Sequence, residues 1–190
     1  GLCQLDGLSG LKAIGALQRL VALFTEEPNT CYLEVGVFQG FTLLSVAANF
    51  PNYPCFGIDN FSLLDPYEKN EGIYESRRSK LGVDNATLIR EDFEVAFERI
   101  GEHLGGRKIG VYLVDGAHDY RSQLMGLVLA LPHLHERAVI LVDDANFQFV
   151  RQSTRDFLIA FPEYKMIFEG YSPAHPANLS LEDSTIWEKS

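Results

Sequence analysis

Short runs that are apolar on nearly every residue recur along this chain, separated by stretches of helical spacing, and that rhythm admits few architectures. The runs cover residues 31–37, 55–58, 86–89, 109–114 and 139–142. A strand with one face in water alternates apolar and polar residues, whereas a strand apolar throughout belongs in a sheet covered on both sides. Helical patterns fall between the runs, near residues 42–49, 93–100, 121–131 and 147–161. Such alternation predicts parallel βαβ units with right-handed crossovers. The expected fold is therefore α/β, Rossmann-like and doubly wound, with helices on both faces of a mostly parallel sheet.

An amphipathic helix is expected to open the chain over residues 8–24, with Leu11, Ile14, Leu17, Leu20, Val21 and Phe24 at helical spacing. Glu26-Glu27-Pro28-Asn29 stops it. Two stretches break the rhythm. Residues 60–80 are polar, include Pro66, and read as a loop leading into a helix. Residues 171–182 hold Pro173, His175 and Pro176 and read as an irregular excursion before a last strand at 184–188. Loops of this kind at a sheet edge form lids or substrate walls. With no repeat or linker, residues 1–190 make one domain, of which 1–29 are an N-terminal helical segment.

A net charge of −10, with no basic run longer than Arg77-Arg78, argues against nucleic acid as a partner. No stretch approaches the roughly 18 apolar residues of a membrane span, and no leader pattern opens the chain. Cys3, Cys31 and Cys55 are odd in number and widely spaced, matching neither a zinc site nor a disulfide framework. Reduced core thiols in the cytoplasm are the expectation. The leucine-rich face of the opening helix could pack on its own sheet or on a second copy, which leaves a homo-oligomer open.

Acidic residues stand where two of the apolar runs stop: Asp115 after Val114, and Asp143-Asp144 after Val142. Strands of an open parallel sheet end at one edge, where ligands bind. Three carboxylates converging there repel one another unless a cation sits between them, and oxygen ligands suit a hard divalent metal. Adjacent strand residues point to opposite faces, so Asp143 and Asp144 share one ion only if the chain has already left strand geometry. His118 follows Asp115 by three residues, and an imidazole titrates near neutrality, as a general base must; a structural histidine is the plain alternative. Asp119 reads as the cap of the next helix, and Asn146 as the cap of the helix after the acid pair rather than an outer ligand. Core packing accounts for most of Phe147, Phe149, Phe157 and Phe161, and Trp187 reads as core before pocket.

Upstream, Glu34-Val35-Gly36-Val37-Phe38-Gln39-Gly40 joins a strand to a helix. Gly36 permits a tight turn, Gly40 lets a helix N-terminus approach a ligand, and Thr42 in the first turn could hold an anion. Phe38 occupies the place of the second glycine in a dinucleotide fingerprint, which disfavours NAD and FAD and suits a smaller anion such as an amino-acid carboxylate. Asp59 ends the next run about 20 residues on, where an acid accepts ribose hydroxyls; a cap or a solvated strand end is its other reading. Asp92 and Phe93 offer an edge and a face to adenine, and Asp92 is equally a helix N-cap.

A carboxylate turn, a ribose acid and an adenine acid on successive strands describe S-adenosylmethionine better than a dinucleotide. Over residues 30–161 the chain resembles the class I S-adenosylmethionine-dependent methyltransferases. Tyr32-Leu-Glu-Val-Gly-Val-Phe-Gln-Gly40, Val114-Asp-Gly-Ala-His-Asp-Tyr120 and Leu141-Val-Asp-Asp144 look more narrowly like the metal-dependent O-methyltransferases. The likeness is to the macrolide-sugar branch, with catechol O-methyltransferase a more distant relative. It implies a seven-stranded sheet whose last strand is antiparallel. Glu34, Gly36, Val37 and Gly40 would shape the cofactor loop, with Thr42 near the methionine carboxylate, Asp59 and Asn60 at the ribose, and Asp92 and Phe93 at adenine. Asp115 would border the cofactor and, with Asp143 and Asp144, hold Mg2+ or another hard divalent cation. His118 would be the base, with Asp115 as its catalytic companion. Many members carry Asn where Asp144 stands, and the inserts at 61–78 and 171–183 match nothing recognisable.

The activity so implied is O-methyl transfer to a hydroxyl of a small polyhydroxylated acceptor, a sugar or a phenolic diol. A protein that binds S-adenosylmethionine only to regulate or assemble is the alternative. A Rossmann-type oxidoreductase is opposed by Phe38 and the clustered acids, and a metal hydrolase leaves the glycine turn and Asp59 unexplained.

Overall fold

The computed structural model describes residues 10–170 and 185–189. The apolar runs become β1 (Thr30–Val35), β2 (Cys55–Ile58), β3 (Ala86–Ile89), β4 (Lys108–Val114) and β5 (Leu134–Val142). These five are parallel. β6 (Tyr164–Glu169) and β7 (Thr185–Lys189) extend the sheet, and its order is β3-β2-β1-β4-β5-β7-β6. β7 lies antiparallel to both β5 and β6. The helices are α1 (Leu11–Ala22), α2 (Phe41–Asn49), α3 (Asn70–Leu81), α4 (Phe93–Glu98), α5 (Ile100–His103), α6 (Tyr120–Ala130) and α7 (Gln148–Ala160).

Successive strand residues divide between two cores, as the two-residue period of a strand requires. Leu33, Val35, Tyr112, Val114, Ile140 and Val142 pack with Phe97, Ile100, Leu127 and Phe157 of the helices on one face. Tyr32, Val111, Leu113, Val139 and Leu141 pack with Leu17 and Val21 of α1, Leu43 and Leu44 of α2, and Tyr74 of α3 on the other. The doubly wound α/β expectation therefore holds. The opening helix lies on its own sheet, since Leu17, Val21 and the following Phe24 are all buried in that second core.

The differences from the sequence expectation have local causes. β1 stops at Val35 because Gly36 takes φ +94°. The helix expected over 93–100 breaks at Arg99, whose φ is −133°, into α4 and α5. β5 begins at Leu134, where His135, Glu136 and Arg137 interrupt its apolar pattern. β6 corresponds to none of the apolar runs: Met166, Ile167 and Phe168 are about half exposed on the sheet's outer edge, so they carry no core period. The excursion at 171–182, with Pro173, His175 and Pro176, lies outside the described residues, as do residues 1–9 with Cys3.

Strand order positions the site. β1 is flanked by β2 on one side and β4 on the other, so the chain leaves β1 in opposite directions in its two halves. Ligands of open α/β sheets bind in the crevice beyond the carboxyl ends of the strands at such a switch point.

Candidate active site

The sheet continues for one residue past its strands, and that extra row carries the site. Asp59 N–H donates to Ile89 O (3.1 Å), Gly36 N–H to Ile58 O (3.0 Å), Asp115 N–H to Val35 O (2.9 Å) and Asp143 N–H to Val114 O (3.0 Å). Asp59, Gly36, Asp115 and Asp143 thus stand side by side at the carboxyl edge, about 4.8 Å apart from strand to strand. Asp115 feels this crowding. Burial first, then Asp143, Asp144, Glu34 and Asp59, hold its carboxyl well above the usual range.

Asp59 pins the glycine turn. Its Oδ2 accepts from Val37 N–H and Phe38 N–H, both at 2.8 Å, and its Oδ1 accepts from Phe61 N–H at 2.7 Å. A carboxylate has about four acceptor sites, and three are spent on the backbone. Those bonds hold Phe38 at φ +50° and Phe61 at φ +55°. Asn60 is exposed, and its Oδ1 accepts from Ser62 N–H at 3.0 Å, an Asx turn. Asp92 is the N-cap of α4, accepting from Glu94 N–H at 2.9 Å, and Phe93 opens that helix. Val37 buries its side chain in the core, so it faces the crevice with backbone alone.

Gly40 and Thr42 serve the chain itself rather than a ligand's approach. A Cβ on Gly40 would lie 2.5 Å from Tyr74 Cδ2 of α3, and Gly40 takes φ +79° as the cap of α2. Thr42 is buried, and its hydroxyl donates to Glu34 Oε1 at 2.9 Å. Tyr32 O–H donates to Glu34 Oε2 at 2.6 Å, and the Leu43 N–H is directed at the same carboxyl. The first turn of α2 is therefore occupied by the chain's own Glu34 carboxyl, which accepts from the Thr42 hydroxyl. Tyr32 and Glu34 are two apart on one strand and share a face, which is the signal that could have found this network.

Burial outweighs those donors and pushes the Glu34 carboxyl up to about 8. A carboxyl raised on folding holds a proton that the unfolded chain has lost. Its stabilising contribution is complete below about 4.5 and disappears as pH climbs through about 8. The unfolding free energy is expected to fall across that window with a slope approaching ~1.4 kcal/mol per pH unit from this group, and the thermal midpoint with it. Glu34→Gln should flatten the slope, measured by calorimetry from pH 5 to 9; parallel slopes in the two proteins would refute the assignment.

His118 and Asp144 meet across the ends of β4 and β5. His118 Nε2 lies 2.7 Å from Asp144 Oδ2, and the ring stacks on Phe147 with centroids 4.3 Å apart. Asp144 takes φ +56°, so the chain has left strand geometry after Asp143, as a shared ion would require. The carboxylate has instead turned onto the imidazole, while Asp143 Oδ1 accepts the Asp144 N–H at 2.9 Å. The bond to Asp144 raises the His118 pKa above its ordinary value. Among the described residues no three His, Cys, Asp or Glu side chains converge on a point a metal could occupy, and that holds for Asp115, Asp143 and Asp144.

Asp119 caps α6, accepting from Ser122 N–H at 3.0 Å. Asn146 does not cap α7; Phe147 holds that place, and Asn146 Oδ1 is buried without a partner among the described residues. Phe147 is also no core residue, being 36% exposed against His118, and Phe149 is exposed outright.

A methyltransferase-domain family model matches residues 33–145, more than half of the chain and every element just described from the glycine turn to Asp144. The chain belongs to the methyltransferase-domain family. No curated protein matches it. Among solved structures this methyltransferase is similar to an O-methyltransferase from Bacillus cereus in complex with SAH, with TM-score 0.74 and 14% identity over 96% of this chain and 82% of that one. It is similar as well to the O-methyltransferase TomG from Streptomyces achromogenes, involved in tomaymycin synthesis and solved with SAM (TM-score 0.73, 16% identity, 96% and 81% coverage). An rRNA methylase from Streptococcus thermophilus also has this fold (TM-score 0.63, 14% identity, 97% and 99% coverage), so the fold leaves the acceptor open.

Contacts from the insert after β2 to the methyltransferase's glycine turn were invisible in the sequence. Asn70 Oδ1 accepts from Gln39 Nε2 (2.9 Å), Arg77 Nη1 donates to Gln39 O (3.0 Å), and the Tyr74 ring covers Gly40. A hollow of about 560 Å3 runs along the outer side of α3 past Lys69, Ile73, Arg77 and Lys80. Its lining, which also includes Glu68, holds none of Asp59, Asp115, His118, Asp143 or Asp144, so it is not the site.

Proposed function

We propose that this methyltransferase uses S-adenosylmethionine and transfers the methyl group to a hydroxyl of a small polyhydroxylated molecule, a sugar or a phenolic diol, with His118 taking the proton. The observation that carries this is the His118–Asp144 pair standing at the carboxyl edge that also bears the glycine turn.

The residues present fit the cofactor. Gly36 follows β1, Asp59 and Asn60 stand at the end of β2, and Asp92 and Phe93 lie beyond the end of β3, all on one edge. When bound, the sulfonium supplies an electrophilic methyl. The transfer is an in-line displacement in which a carbon–oxygen bond forms as the carbon–sulfur bond breaks. An aliphatic or phenolic hydroxyl is a weak nucleophile while protonated, so a positioned base contributes. With Nε2–H donated to Asp144, Nδ1 is the ring nitrogen with a lone pair for that proton. The products are the methyl ether, S-adenosylhomocysteine and a protonated His118. Asp144 orients the ring and stabilises its charged form, and Phe147 holds its plane.

A resident divalent metal does not fit these residues as they stand, because Asp144 is committed to His118 and the three acids do not converge. No step of the mechanism runs through one.

Titration calorimetry with S-adenosylhomocysteine, followed by labelled methyl transfer to a panel of catechols and monosaccharides, tests the proposal. Binding together with turnover of at least one diol is expected, and turnover should survive EDTA. Failure to bind the cofactor would overturn the proposal. Tight binding with no turnover across the panel would favour a regulatory or assembly role. A tenfold or greater recovery on adding Mg2+ after EDTA would reinstate Asp115, Asp143 and Asp144 as ion ligands.

A further inference from the structure

α6 turns Gln123, Gly126, Leu127 and Ala130 inward, a stripe at three- and four-residue spacing that is otherwise apolar or small. Gln123 is only 1% exposed, and its amide is a polar group on an otherwise apolar or small inward stripe. Nε2 donates to the backbone carbonyl of Ala117 at 2.8 Å, while Oε1 is buried with no partner among the described residues. Turning the amide over would set oxygen against oxygen, so the Ala117 bond fixes its orientation. A buried polar group left half satisfied works against stability and calls for another reason to exist.

Its single bond falls on the residue preceding His118. On the other side of His118, Asp119 is locked as the cap of α6 by its bond from Ser122 N–H. The imidazole therefore projects from a turn held at both shoulders, one of them by the Gln123 amide. We infer that Gln123 is a positioning residue for His118: it anchors the Ala117 carbonyl so that the imidazole meets Asp144 and Phe147 in one orientation. The inference rests on the proposed role of His118 for its bearing on turnover, but not for its structural content.

The test replaces Gln123 with methionine, which fills the same space without the bond, and reads the His118 ring in a proton–carbon correlation spectrum. His118→Ala identifies the signal. One sharp signal is expected in the parent, and a shifted, broadened or doubled one in Gln123→Met. The thermal midpoint should be unchanged or higher, kcat should fall about tenfold, the scale of one hydrogen bond's net contribution, and KM for S-adenosylmethionine should be unchanged. Gln123→Asn, one methylene too short to reach Ala117, should give the same spectral signature, which covers the case of a methionine variant that does not fold. An unaltered His118 signal in either folded variant would overturn the inference. If His118→Ala keeps full turnover while Gln123→Met still perturbs the ring, the base role fails and the positioning stands.

Discussion

Gly36→Ala is expected to lower stability by about 3 kcal/mol or more, a large part of the roughly 5–15 kcal/mol that holds a domain folded. Two costs add. Gly36 takes φ +94°, where a side chain strains the backbone by about 1–3 kcal/mol. Its Cβ would also lie 1.9 Å from Asp115 O and 2.6 Å from Asp115 C. Those atoms are backbone of the adjoining strand end and cannot swing aside, so Asp115 and the turn must move apart. The thermal midpoint should drop by about 6–12 °C, at roughly 2–4 °C per kcal/mol for a chain of this size. Gly116→Ala is the control, because its Cβ would meet nothing closer than Val35 Cγ1 at 3.5 Å. It should melt within about 1 kcal/mol of the parent. A Gly36→Ala protein that melts alongside Gly116→Ala would remove the case for close approach of β1 and β4.

His118→Ala should reduce kcat by about 100- to 10,000-fold, the range contributed by a positioned general base, with S-adenosylhomocysteine affinity and thermal midpoint little changed. The side chain is 36% exposed and anchors no core, so a loss of this size would not arise from unfolding. Asp144→Asn provides the electrostatic half of the experiment. His118 acts as a base only when neutral, and its pKa is raised first by the bond to Asp144. In the parent, turnover should therefore rise with pH through that raised value. In Asp144→Asn the rise should move to lower pH, while the maximal rate falls because the charged ring has lost its partner. An unmoved pH limb would mean that Asp144 does not act through His118.

Much of the fold was legible in the sequence because strands buried on both faces are apolar on nearly every residue. β2 and β3 fall on the bounds their apolar runs suggested, while β6 and the polar start of β5 lack that signature. The site residues were legible as a set for a related reason. Asp59, Gly36, Asp115 and Asp143 each follow a strand of one parallel sheet, and parallel strands end together. Most of their partners could not be read, because they arrive from distant segments: Val37 and Phe38 on Asp59, Tyr74 on Gly40, Asp144 on His118.

The sequence by itself determined the layered α/β architecture and the edge at which the acids and His118 gather, since periodicity and strand ends are local properties of a chain. Tertiary structure decided what each polar group does there. Thr42 turned inward to Glu34 rather than outward to an anion, Asp59 spent three acceptor sites on backbone, and Asp144 closed onto an imidazole. A carboxylate takes whichever donors the fold delivers within about 3 Å, and that delivery depends on crossovers and loop paths that leave no mark in the residues themselves.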